Sequence, residues 1–190
     1  MLTEIETYAK EHRVPIMLPD GIEYLCTLIK ENNIKNILEI GSAIGYSAIK
    51  MALVSDDIKV TTIEKDIERY NIAVENIKKF NLENRINIIL DDALNTVITD
   101  KFDLIFIDAS KGNNINFFNK YSPNLSKYGI IVTDNLFFHG LVQDETLIKT
   151  KNQRGIVRKI KDFIFFLDNN QEFETKYISV GDGIALSKRK

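Results

Sequence analysis

The chain has 190 residues, enough for one domain with a sizeable core, and its 44% hydrophobic and 27% charged content is ordinary for a water-soluble globular protein. A formal net charge of −2 gives no overall drive toward nucleic acid or membrane, so any such binding must come from a local patch. No apolar run reaches the ~20 residues that span a bilayer, residues 1–6 lack the apolar core of a secretory signal, and a lone Cys26 excludes an internal disulfide, so no membrane partner and a cytoplasmic location are expected.

Pro15 and Pro19 bound a loop. Residues 22–31 then read as a helix with Ile22, Leu25, Cys26, Leu28 and Ile29 on one side. From there strand, turn and helix alternate. Residues 36–40 are a short apolar strand ending at Gly41, and 45–54 a helix. Residues 59–63 are a β-branched strand, followed over 66–80 by an amphipathic helix carrying Ile67, Tyr70, Ala73, Val74, Ile77 and Phe80. Residues 85–90 make a third strand. Residues 102–107 make a fourth, nearly all apolar, as burial on both faces requires. A helix within 113–125 and a fifth strand over 129–133 follow. Beyond Asp134 the pattern changes: 150–169 reads as one long helix, and 172–179 with 184–187 as a hairpin about Gly181-Asp182-Gly183. The alternation predicts an open parallel α/β sheet, and the closing hairpin adds an antiparallel edge strand. There is no internal repeat, low-complexity tract or linker, so one domain over 1–190 is expected.

In such sheets ligands bind beyond the carboxyl ends of the strands. The first strand runs into Gly41-Ser42-Ala43-Ile44-Gly45-Tyr46-Ser47, where two glycines let the backbone turn sharply near a ligand. Ala43 stands where a dinucleotide fingerprint has its middle glycine, which disfavours a pyrophosphate and with it a dinucleotide oxidoreductase. S-adenosylmethionine needs no phosphate cradle. Glu64 ends the second strand, near the ~20-residue interval at which an acid can accept both ribose hydroxyls. Asp92-Ala93, after the third strand, could hold an adenine amino group beside a flat apolar contact, and Glu39 could face a positively charged methionine end. Each has a plainer reading: a glycine after a strand is usually a turn, and Asp66 or Asp92 could cap a helix. Their succession at three strand ends favours a nucleoside-type cofactor.

Asp108 ends the fourth strand and Asp134-Asn135 the fifth. If these strands are neighbours, two carboxylates and an amide oxygen converge into a hard, all-oxygen set that suits Mg²⁺ or another divalent cation. Otherwise Asp108 is a helix cap and Asp134-Asn135 a turn. Lys111, three residues after Asp108, could take a proton from an acceptor hydroxyl or be a surface lysine.

Together these residues resemble the cation-dependent O-methyltransferase family of catechol and caffeoyl-CoA O-methyltransferases. The resemblance runs from Val14-Pro15-Ile16-Met17 to Gly181-Asp182-Gly183. Its most specific pieces are Leu38-Glu39-Ile40-Gly41 with Gly45-Tyr46-Ser47, Phe102 through Ala109 with Lys111, and Asp134-Asn135 with Gly140. It implies a class I methyltransferase fold, a Rossmann-like seven-stranded sheet, mostly parallel with an antiparallel edge strand and helices on both faces. It implies Asp108, Asp134 and Asn135 as metal ligands, with Lys111 and Asp108 catalytic. It also implies a cofactor site of Met17, Glu39, Gly41, Ser42, Ser47, Glu64, Asp92, Ala93 and Asp108. Phe138-His139-Gly140-Leu141-Val142 and Arg154 with Arg158-Lys159-Ile160 resemble a bacterial subgroup that converts tRNA 5-hydroxyuridine to 5-methoxyuridine at the wobble position. Residues 146–161 hold six basic residues and no acid, and Lys149, Lys151, Arg154 and Arg158 are candidate contacts to the phosphates of a tRNA anticodon loop. The same run could be a solvated helix face, leaving a small phenolic acceptor as the alternative. A homodimer is expected. An intact Asp108, Lys111, Asp134 and Asn135 set argues against a non-catalytic binding module.

Overall fold

Seven strands follow one another along the chain: β1 (Asn36–Ile40), β2 (Lys59–Glu64), β3 (Ile86–Leu90), β4 (Phe102–Ile107), β5 (Leu125–Thr133), β6 (Phe173–Ile178) and β7 (Ile184–Arg189). Among the described residues six α-helices accompany them: α1 (Leu2–His12), α2 (Pro19–Glu31), α3 (Tyr46–Ala52), α4 (Ile67–Lys79), α5 (Asn114–Tyr121) and α6 (Lys151–Asp168). This computed structural model describes residues 1–109 and 111–190. The strands form one sheet in the order β3-β2-β1-β4-β5-β7-β6. The pairings from β3 through to β5 are parallel, while β7 is antiparallel to both β5 and β6. The antiparallel pair therefore closes the β5 side, as the hairpin pattern predicts.

Pleating sends alternate residues of the central strands to opposite faces. Ile37, Leu104, Phe106 and Val132 meet α2 and α3 in one apolar core, which α1 extends through Ile5 and Ala9. Leu38, Ile40, Ile105, Ile107 and Ile131 meet α5 and α6 in a second core on the other face. Chain entry into the helices is set locally. Pro19 opens α2, Asp66 accepts the Glu68 and Arg69 amides at the start of α4, and Thr150 with Gln153 forms a capping box on α6. Among the described residues no helix is long and apolar enough to cross a membrane.

Helix α2 starts at Pro19, three residues earlier than expected, and α1 and β5 differ more. Helix α1 is unpredicted, because only Ile5 and Ala9 of its eleven residues are buried and the apolar stripe is too thin to read. The helix expected within 113–125 is α5, preceded by a 3₁₀ turn (Lys111–Asn113) and followed by a second (Ser122–Asn124). Strand β5 starts at Leu125 rather than 129, with a register shift between Phe102 and Leu104 of β4 taking up the irregularity.

Candidate functional site

Strand order reverses direction between β1 and β4, and a cleft of about 320 Å³ opens at the carboxyl ends of the strands there. Of the expected cofactor residues, Met17, Gly41, Ser42, Ser47, Glu64, Asp92, Ala93 and Asp108 all line it. Glu39 does not. It is fully buried beneath the cleft, accepting hydrogen bonds from the Ser47 and Thr62 hydroxyls, and it acts on the cleft through Ser47. Burial, against the pull of those two hydroxyls, pushes the Glu39 carboxyl up to about 7.

The lining residues are held in place by the backbone. At Gly41 φ is +98° and a Cβ would lie 2.7 Å from the Asp108 carbonyl oxygen, so glycine is required there by the approach of β1 to β4. Ala43, in the position of the missing middle glycine, is left-handed (φ 44°) and donates its N–H to Glu64 Oε2 at 2.8 Å. Glu64 Oε1 accepts the Lys65 and Asp66 amides, both at 2.9 Å. Asp92 Oδ1 accepts the Leu94 amide at 2.8 Å, and the Tyr121 hydroxyl donates to the Ala93 carbonyl at 2.6 Å. Asp66 caps α4, as the plainer reading of it has it. The Ser42 hydroxyl is buried in this wall without a hydrogen-bond partner among the described residues, a donor left for a ligand.

The second group of residues gathers at one end of the same cleft. β4 and β5 are neighbours, as the convergence of Asp108 with Asp134 requires. Asp108, Lys111 and Asn135 line the cleft, while Asp134, 2% exposed, lies just behind it. Lys111 Nζ lies 3.0 Å from Asp108 Oδ1, and the Asn135 amide donates to Asp134 Oδ2 at 2.5 Å. Burial first, then the charge of Asp108, pushes the Asp134 carboxyl up to about 7. Asp134 Oδ1 is buried with no hydrogen-bond partner among the described residues. An unsatisfied carboxylate oxygen beside a second carboxylate and an amide fits a hard divalent cation. No cluster of three or more His, Cys, Asp or Glu side chains suited to a metal occurs among the described residues, so such an ion would draw on Asn135 and outside oxygens as well.

Lys149, Lys151, Arg154 and Arg158 are exposed and do not line the cleft. Helix α6 nevertheless packs against the Lys111–Asn113 turn, and Lys159 Nζ lies 2.8 Å from the point where a Cβ on Gly112 would be. Lys161 is ion-paired with Glu145, so the acid-free run is partly neutralised from just outside it. Arg69 and Phe117, also in the cleft wall, carry no spacing signal in the sequence. They arrive from the first turn of α4 and the middle of α5.

Residues 1–190 match the family model described as O-methyltransferase. The caffeoyl-CoA O-methyltransferase of Populus kitakamiensis is 33% identical over 90% of this chain and 76% of its own. A Staphylococcus aureus crystal structure, of a candidate caffeoyl-CoA O-methyltransferase, superposes with a TM-score of 0.95 at 36% identity, covering 100% of this chain and 92% of the other. The Bacillus cereus O-methyltransferase in complex with SAH gives 0.85 at 27% identity over 100% of this chain and 90% of the other.

Proposed function

We infer the reaction from one premise: the chain belongs to the O-methyltransferase family and is an S-adenosylmethionine-dependent enzyme of the caffeoyl-CoA type. The proposed acceptor is a hydroxyl on the aromatic ring of a small phenol or its thioester, and the proposed aid is a divalent cation such as Mg²⁺. The observation that carries this reading is the unsatisfied Asp134 Oδ1, buried behind Asp108 and Asn135 at one end of the cleft that collects Gly41, Ser42, Glu64 and Asp92. A cation held there would draw the acceptor hydroxyl in and lower its pKa. The chain's own part is placement: the cleft wall of Met17, Ser42, Glu64 and Ala93 fixes the donor, and the strand ends fix the acceptor in line with it. Lys111, 3.0 Å from Asp108 at the same end of the cleft, would take the proton that the acceptor loses only as a neutral amine, freed from its ion pair with Asp108. Lys111→Ala should then lower kcat more than it raises KM.

A second reading, methylation of 5-hydroxyuridine in a tRNA anticodon loop, is favoured by one observation. The exposed cations of α6 sit on the helix that packs against the Lys111–Asn113 turn. Single-stranded loops can offer a splayed base to such a cleft, and flanking phosphates would meet Arg154 and Arg158. The deciding assay offers purified enzyme, S-adenosylmethionine and Mg²⁺ a catechol and, separately, tRNA carrying 5-hydroxyuridine. Transfer to the catechol with weak salt dependence supports the first reading. Transfer to tRNA alone, falling steeply with salt and lost on reversing charge at Arg154 and Arg158, replaces it with the second.

A further inference from the structure

The Gly181-Asp182-Gly183 motif is not used by the cofactor cleft, yet it is among the most heavily engaged turns in the chain. It closes with Gly183 N–H on the Val180 carbonyl at 3.0 Å. Gly183 (φ +84°) has no room for a side chain, since a Cβ would come within 2.6 Å of the Phe137 ring. One side of the turn is braced from the amino-terminal region, where Asp20 accepts the Gly181 N–H at 3.0 Å. The other side grips the segment that follows Asn135. Leu136 N–H donates to the Gly183 carbonyl at 3.0 Å, Phe137 N–H to the Asp182 carbonyl at 2.7 Å, and His139 N–H to the Asp182 side-chain Oδ1 at 2.6 Å.

That gripped segment is strained. Asn135, Phe138 and His139 have φ of 67°, 48° and 57°, and for residues with a Cβ such a run persists only when the surroundings hold it. Asp182 is 7% exposed, so its bond to the His139 amide forms away from competing water. The other oxygen, Oδ2, has no hydrogen-bond partner among the described residues and lies 3.6 Å from the His139 ring. Here, then, a buried carboxylate faces both the backbone N–H and the imidazole of one residue in a strained loop.

We propose that Asp182 is a positioning residue: its carboxylate locks residues 136–140 in the conformation that presents Asn135 to the acceptor end of the cleft. It touches neither donor nor acceptor and works through the His139 amide. The role rests on the O-methyltransferase reading of the cleft only for its catalytic consequence; the locking of the loop is a property of the chain alone.

The test compares full-length wild type with Asp182→Ala and Asp182→Asn. Asparagine keeps a carbonyl oxygen for the His139 N–H, and alanine does not. Hydrogen exchange across residues 136–142 reads the loop, calorimetry with SAH reads the cofactor end, and methyl transfer to a catechol reads the acceptor end. In Asp182→Ala, exchange in the loop should rise about tenfold or more, and kcat/KM for the catechol should fall by a similar factor. Affinity for SAH should stay within about twofold, because the cofactor wall does not depend on this bond. Asp182→Asn should restore both readouts to within about threefold. Loop exchange unchanged in Asp182→Ala, asparagine as damaging as alanine, or SAH affinity lost in step with activity would each overturn the proposal. If Asp182→Ala does not fold, Asp182→Asn decides: a protected loop with near wild-type transfer supports the role, and an unprotected one ends it. Should wild type transfer nothing to the catechol, the acceptor assignment fails, and the exchange measurement still judges Asp182.

Discussion

Glu64 is the sharpest test of the cofactor site, because it already has structural work. Its two oxygens accept three backbone amides, those of Ala43, Lys65 and Asp66, at 2.8–2.9 Å, and the residue is 6% exposed. A carboxylate offers about four lone-pair positions, so room remains for about one hydroxyl donor from a ribose. Alanine would remove every one of these contacts and release the Ala43 turn, so its effect on binding would be uninformative. Glu64→Gln is the useful perturbation: one oxygen survives and the other becomes an amide donor. At least one charge-assisted hydrogen bond to a ribose hydroxyl is lost, roughly 1.5–3 kcal/mol, or roughly 10- to 150-fold in affinity. Backbone contacts are disturbed as well, but that damage is common to any ligand in the cleft. Calorimetry with SAH and with its 2′,3′-dideoxy analogue separates the two. Damage to the turn weakens both ligands equally and cancels in the ratio, as in a double-mutant cycle. The expected result is a loss of roughly tenfold or more for SAH beyond any loss for the analogue. Equal losses for the two would refute a ribose contact and leave Glu64 as a brace for the Ala43 turn.

Four further outcomes are expected. Because burial raises the Glu39 carboxyl from 4.5 to about 7, the folded chain keeps a proton that the unfolded chain releases over that window. The Glu39 share of stability should fall as pH rises from about 4.5 to about 7, by an amount on the order of 3 kcal/mol, and level off above; Glu39→Gln should remove that share of the difference between urea melts at pH 5 and pH 8 and leave the share of Asp134. Asp134, also raised to about 7, has to lose its proton to hold a cation, so Mg²⁺ affinity should weaken below pH 7 and vanish in Asp134→Asn while SAH still binds. EDTA should abolish turnover and Mg²⁺ restore it; full activity in metal-free enzyme would reject the cation. Sedimentation should give twice the mass of one chain, and a monomer at micromolar concentration would end the homodimer proposal.

The sheet was legible because its signals are strong and local. β4 is apolar apart from Asp103 near its start, a composition expected of a strand covered on both faces. The Asp182 turn was visible only as a hairpin signal, because its partners Asp20 and His139 lie 161 residues from Gly181 and 43 residues from Asp182. No spacing rule links positions so far apart. Helix α1 went unread for another reason: Ile5 and Ala9 are its only residues buried in the core, and the Tyr46 hydroxyl bond to Glu6 at 2.7 Å that helps to anchor it leaves no periodic mark. Glu39 was placed in the right layer but at the wrong depth. A strand-end carboxylate looks the same in sequence whether it faces a ligand or sits one shell behind it, and only the hydroxyls of Ser47 and Thr62 decide.

The plain and the functional readings of these residues are therefore not rivals. Gly41 is needed for strand packing and also lines the cleft; Asp92 holds a loop amide and also lines the cleft. What separates a ligand site from an ordinary set of strand ends is the polar groups left over once the backbone is satisfied. Each such buried group costs roughly 1–3 kcal/mol, so a fold keeps few without a reason. Among the described residues, Ser42 Oγ stands in the cleft wall, Asp134 Oδ1 behind its acceptor end and Asp182 Oδ2 behind the loop that follows, while the Asn114 amide at the start of α5 is left over away from the cleft lining. The first two are what a donor's polar groups and a cation would satisfy. The third belongs to a carboxylate already committed to His139, which is why it reads as a brace and not as a third ligand.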